Sequence, residues 1–114
     1  MSWWEKLFGP KVPTKDVSQV AQALREGNVV ILDIRDEHAY REGHIAGARH
    51  VSVHDLLDAI AALPRETPIV VVCRSGNRSV GAAKRLLKAG YPEVYSMKGG
   101  MRAWRRAGLP VEKG

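Results

Sequence analysis

The sequence predicts one α/β domain: a central, mostly parallel sheet of about five strands with helices on both faces. Three observations point there. Short β-branched runs alternate with segments whose apolar residues recur at helical spacing. The run Ile69-Val-Val-Val72 is apolar throughout, as in a parallel strand buried on both faces. The chain of 114 residues is long enough to bury a core without disulfides or a structural metal.

The elements follow in order. Met1 to Pro13 reads as an N-terminal extension, with the domain running from Thr14 to Gly114. In the extension, Ser2-Trp-Trp-Glu-Lys-Leu-Phe8 is a short amphipathic piece broken off by Gly9, Pro10 and Pro13, and Trp3 and Trp4 are expected to dock on the domain itself. Thr14 or Asp16 can cap a helix with Val17, Val20, Ala21 and Leu24 on one face, ended by Gly27. Val29 to Leu32 is a buried strand that delivers Asp33. Asp36 to Glu42 is polar and briefly helical, Gly43 to Gly47 is a turn, and a short strand spans Arg49 to Val53. Ser52 with Asp55 has the form of a capping box, opening a helix through Leu56, Leu57, Ile60 and Leu63 up to Pro64. The Ile69 strand leads through Cys73 and a polar loop into a helix that Gly90 stops. Glu93 to Met97 is a further strand, and Gly99-Gly100 turns into a last helix that buries Met101 and Trp104.

Composition narrows the function. Hydrophobic residues make up 45% and charged residues 26% of the chain, ordinary for a globular protein. No apolar run reaches the roughly 20 residues of a transmembrane helix. The N-terminus lacks the order of a signal peptide, so a cytoplasmic location is expected. The net charge is +6, and it is unevenly placed: Met1 to Glu66 carries eight Lys/Arg against ten Asp/Glu, whereas Thr67 to Gly114 carries ten against two. A cationic cleft concentrates small anions. The stacking aromatics of a nucleic-acid site are missing, so a small anionic substrate or an acidic patch on a protein partner is expected, and no nucleic acid.

The single cysteine, Cys73, stands between strand and helix, followed by Arg74, Ser75, Gly76, Asn77, Arg78 and Ser79 without one apolar residue. So tight a connection turns successive N–H groups inward at a helix N-terminus, making an anion-binding concavity with Cys73 at its rim. Helix N-termini and nearby cations favour the thiolate. Cys73 is therefore the candidate nucleophile. Open sheets of this kind bind ligands beyond the carboxyl ends of their strands, where Cys73 and Asp33 to Arg35 both fall. Asp33 and Arg35 read as an ion pair organising that end. Among His38, His44, His50 and His54, only His50 and His54 share a helical i, i+4 spacing, and no cysteine or HExxH pattern accompanies them. Neither metal nor cofactor is expected.

Three stretches together resemble the rhodanese family of single-domain sulfurtransferases: Leu32-Asp-Ile-Arg-Asp-Glu-His-Ala-Tyr-Arg-Glu-Gly-His-Ile-Ala-Gly-Ala48, Cys73-Arg-Ser-Gly-Asn-Arg-Ser79, and Gly99-Gly-Met-Arg-Ala-Trp-Arg-Arg-Ala-Gly-Leu-Pro110. The likeness covers Lys15 to Glu112. It implies transfer of sulfane sulfur from a small anionic donor such as thiosulfate, through a Cys73 persulfide, to an acceptor: cyanide in assays, a thiol or thioredoxin-like protein in cells. Backbone N–H groups from Arg74 to Ser79 would hold the anionic sulfur. Arg78 would hold the donor's oxyanion with its planar fork, and Arg74 would add a second cation or stand solvated. Ser75 and Asn77 would shape the turn, and His44 is implied to be structural. One cysteine per chain means each subunit carries a complete site, so a monomer or weak oligomer is expected. The enzyme rival is phosphatase or arsenate-reductase chemistry, whose loop has one more residue between cysteine and arginine than the four here. A rhodanese-like module that only binds or carries sulfur is the non-enzyme rival.

Overall fold

The computed structural model describes residues 11–114. The Trp3-Trp4 segment, and its docking, lie outside the described residues. Five strands, β1 (Thr14–Lys15), β2 (Val30–Asp33), β3 (Arg49–His50), β4 (Ile69–Val72) and β5 (Val94–Met97), form one sheet in the order β1-β5-β4-β2-β3. Every pairing is parallel. The helices are α1 (Val17–Glu26), α2 (Glu37–Glu42), α3 (Leu56–Ile60), α4 (Arg78–Lys88) and α5 (Gly100–Arg106).

Strand alternation divides the core into two layers. On one face Ile69 and Val71 pack with Leu56, Ile60, Ala82, Ala83 and Leu86 from α3 and α4. On the other, Val70 and Val72 pack with Val20 and Ala21 of α1 and Met101 and Trp104 of α5. Cys73 continues the odd-numbered series and belongs to the α3–α4 layer. The same parity that buries Ile69 and Val71 therefore aims the thiol at α4. Among the described residues no helix is long and apolar enough to cross a membrane.

Four elements differ from the sequence reading. Thr14 is not a cap but part of β1, paired with Ser96, and Asp16 alone caps α1 in a reciprocal box with Gln19 at 2.9 and 2.8 Å. Two residues are too few to show alternation, so β1 carried no periodic signal. It extends a contact already made upstream, where Ser96 N–H donates to the Pro13 carbonyl at 3.0 Å and Val12 packs on the α3–α4 layer. The third strand is only Arg49–His50, because after Val51 N–H donates to Asp33 O the chain turns into a 3₁₀ segment, Val53–Asp55. Ser52 accepts from His54 N–H at 3.3 Å, and no capping box forms with Asp55. The following helix stops at Ile60, short of Leu63. His50 lies in a strand and His54 in the 3₁₀ segment, so they share no helix face. Finally, α4 starts at Arg78, so Arg78 and Ser79 form its first turn.

Candidate active site

The site is assembled where β4 ends beneath α4. Ser79 N–H and Gly76 N–H reach the Cys73 sulfur at 3.3 and 3.2 Å, and the Ser79 hydroxyl lies 3.2 Å from it. Asn77 stands at the N-cap of α4 but makes no side-chain cap bond. The orphan N–H of Ser79 is instead satisfied by sulfur, so the thiolate itself takes the cap position, where the helix dipole favours an anion. Burial opposes ionisation, but donation from the Ser79 hydroxyl and from the N–H groups of Ser79, Gly76 and Ser75 outweighs it and holds the Cys73 pKa below the ordinary thiol value.

The thiol is not at the rim, as its sequence position suggested. Cys73 is only 2% exposed and forms the floor of the cradle. The loop closes over it because α5 grips the loop from outside. Met101 N–H donates to Cys73 O at 2.9 Å, and Arg102 N–H donates to Arg74 O at 3.0 Å. A trans peptide points its N–H opposite to its carbonyl, so tying the Arg74 carbonyl to α5 turns the Ser75 N–H toward the sulfur. Two glycines permit this approach. A Cβ on Gly100, which sits at φ +58, would lie 2.5 Å from Cys73 O, and one on Gly76, at φ +93, would lie 2.9 Å from Gly99 N.

Arg74 and Arg78 are exposed at the mouth, and both line an open groove of about 1160 Å³. Among the described residues neither guanidinium has a carboxylate within salt-bridge range. Ser75 and Asn77 are exposed in the loop, Gly76 is half-buried and Ser79 is buried. Asp33 and Arg35 form a buried ion pair at the strand end, with Arg35 also lining the groove. Arg35 Nη2 donates to Asp33 Oδ2 at 2.7 Å and its Nε to Oδ1 at 3.0 Å, while Nη2 also donates to Gly43 O at 2.8 Å. The pair thus ties β2 to the turn at Gly43, and removing one partner of such a pair costs about 3–5 kcal/mol. His44 is buried, with Nδ1 2.9 Å from Tyr40 O and its ring stacked on Tyr40 at 3.8 Å.

Sequence reasoning missed Ser96. This β5 residue is 1% exposed, and its Oγ lies 2.6 Å from Ser79 Oγ. A hydroxyl interrupting the apolar run Val94-Tyr-Ser-Met97 was the available signal, since a buried hydroxyl needs a partner. With the thiolate formed, Ser96 donates to Ser79 and Ser79 donates to sulfur, so the two bonds polarise one another. Ser96→Ala is therefore expected to move the pH profile of Cys73 alkylation by iodoacetamide to higher pH, with Ser96→Thr restoring it. Superimposable wild-type and Ser96→Ala profiles would show that this hydroxyl does not tune the thiolate.

An α/β domain with a helix-capping thiolate at the end of a parallel strand defines the class, and comparison with known proteins supplies the family. The pattern of the family described as Rhodanese-like domain matches residues 16–107. A protein of Stutzerimonas stutzeri named thiosulfate sulfurtransferase GlpE is 46% identical over 85 residues, covering 75% of this chain and 78% of its own. The crystal structure of a thiosulfate sulfurtransferase from Pseudomonas aeruginosa superposes with a TM-score of 0.84 at 30% identity, over 92% of this chain and 20% of that one. The crystal structure of the Alr3790 protein from Anabaena sp. gives 0.81 at 32% identity, over 88% of this chain and 82% of that one. The chain belongs to the rhodanese-like domain family.

Proposed function

We propose that Cys73 takes the outer sulfur of thiosulfate and hands it to a thiophilic acceptor, cyanide in assays and a thiol or thioredoxin-like protein in the cytoplasm. The chain is a rhodanese-type sulfurtransferase. The observation that carries the residue assignment is the convergence of the Gly76 N–H, the Ser79 N–H and the Ser79 hydroxyl on one buried sulfur.

In the first half-reaction the Cys73 thiolate attacks the outer sulfur of thiosulfate. A bond forms between Sγ and that sulfur, the S–S bond of thiosulfate breaks, and its electron pair leaves with sulfite. Developing charge on the leaving oxyanion falls at the mouth, where Arg78 and Arg74 supply guanidinium groups that have no carboxylate partner among the described residues. In the second half-reaction an acceptor nucleophile attacks the outer sulfur, and the electron pair of the broken bond returns to Cys73. The cradle donors then hold the regenerated thiolate. Buried donors placed in advance need no rearrangement between the halves.

Arg78→Ala tests the oxyanion role. Losing a hydrogen bond to a charged group costs about 1.5–3 kcal/mol, so kcat/KM for thiosulfate is expected to fall by roughly ten- to a hundredfold. Stability should change little, because the side chain is exposed. Unchanged kinetics would move the role to Arg74 or to the backbone.

A further inference from the structure

The groove at the mouth is far larger than a sulfur oxyanion requires. Thiosulfate has five heavy atoms and fills on the order of three water volumes, about 90 Å³, against about 1160 Å³ in the groove. Cations dominate its lining. Around α2 the charges are held locally, Arg41 with Glu37 at 2.9 Å, His38 with Glu42 at 2.9 Å, and Asp36 Oδ1 accepting from Ala39 N–H at 2.8 Å. The lining also presents Arg74, Arg78, Arg102, Arg105 and Lys113, all exposed and, among the described residues, without a carboxylate within salt-bridge range; Arg105 Nη2 reaches back to the Glu42 carbonyl at 3.4 Å. Small-anion chemistry at the thiol uses Arg74 and Arg78; it makes no use of the side-chain charges of Arg102, Arg105 and Lys113.

We propose that this cationic groove docks an acidic protein segment that carries a cysteine and accepts the sulfur of Cys73; the proposal rests on the persulfide reading above. Charge complementarity selects the partner. Several unpaired cations along one groove suit carboxylates spaced along a peptide, whereas among the described residues the lining holds no tryptophan, tyrosine or phenylalanine on which nucleic-acid bases would stack. The step balances without an oxidant. The partner's thiolate attacks the outer sulfur of the Cys73 persulfide, a new S–S bond forms in the partner, the bond to Cys73 Sγ breaks, and its electron pair remains as the Cys73 thiolate.

The test uses two synthetic peptides of equal length, each with one cysteine, flanked in one by glutamates and in the other by glutamines. Wild-type protein with thiosulfate should transfer sulfur to the acidic peptide with kcat/KM about tenfold higher, and the preference should shrink in high salt. The double variant Arg105→Glu/Lys113→Glu should lose most of the preference while its kcat with cyanide stays within about twofold, because both side chains are exposed and neither residue bonds to the sulfur or to its loop. Cyanide turnover with equal rates for the two peptides overturns the docking proposal alone. So does a preference that survives in the double variant, or an RNA oligonucleotide of matched charge that blocks the acidic peptide while a second acidic peptide lacking cysteine does not. Loss of both cyanide and peptide turnover in wild-type protein overturns the persulfide reading, and docking with it.

Discussion

Cys73→Ser is expected to abolish sulfur transfer, lowering turnover by roughly a thousandfold or more, as removal of a nucleophile does. An oxygen in place of sulfur keeps hydrogen-bonding capacity toward Ser79 and Gly76 but cannot carry a persulfide. The fold should survive. The residue is buried at the end of β4, its nearest polar neighbours are the cradle donors, and the change in volume is small, so stability is expected to shift by about 1 kcal/mol. Thermal melting and a thiosulfate–cyanide assay separate the two effects. Substantial turnover by a folded Cys73→Ser protein would remove Cys73 from the mechanism.

Gly100→Ala is expected to have the largest effect of any substitution that leaves every cradle residue in place. The new methyl would stand 2.5 Å from Cys73 O and from Arg74 C, and 2.6 Å from Arg74 O. These are backbone atoms at the start of the loop and cannot swing aside like a side-chain tip. The left-handed backbone at φ +58 adds about 1–2 kcal/mol for any residue with a Cβ, and overpacking adds about 1–3 kcal/mol more. Relief requires α5 and the loop to separate, weakening the bonds from Met101 and Arg102 that aim the Ser75 N–H at sulfur. A displacement on the ångström scale costs on the order of a hundredfold in rate. Gly108→Ala is the matched control. Gly108 has φ +74, but nothing lies within 4 Å of its added Cβ, so it should show the conformational cost without the loss of activity. Equal activity in both variants would separate the α5 grip from the geometry of the cradle.

Most of the fold was legible because it rests on long periodic segments. The β-branched run of β4, the amphipathic α1 and α4 and the paired glycines that open α5 each announced an element whose neighbours agreed with it. What escaped was short or set by partners remote in sequence. β1 has two residues and exists through Ser96 and Met97 on β5. The stretch after Val53 holds helical spacing but begins as a 3₁₀ turn.

The site divides the same way. Cys73, its loop and Arg78 are contiguous, so their chemistry could be read from the chain. Ser96 reaches Ser79 across 17 residues, and the Met101 and Arg102 N–H groups that fix the loop carry no side-chain signature at all. The depth of Cys73 was misjudged for the same reason. A strand end reads as a rim until the helix that closes over it is placed.

The central claim is that Cys73 carries sulfur between donor and acceptor. The most direct measurement is the intact mass of the protein after incubation with thiosulfate, before and after addition of cyanide. A gain of one sulfur atom that cyanide removes, and that Cys73→Ser never shows, is the predicted result. A wild-type mass unchanged by both thiosulfate and a low-molecular-weight persulfide would contradict it.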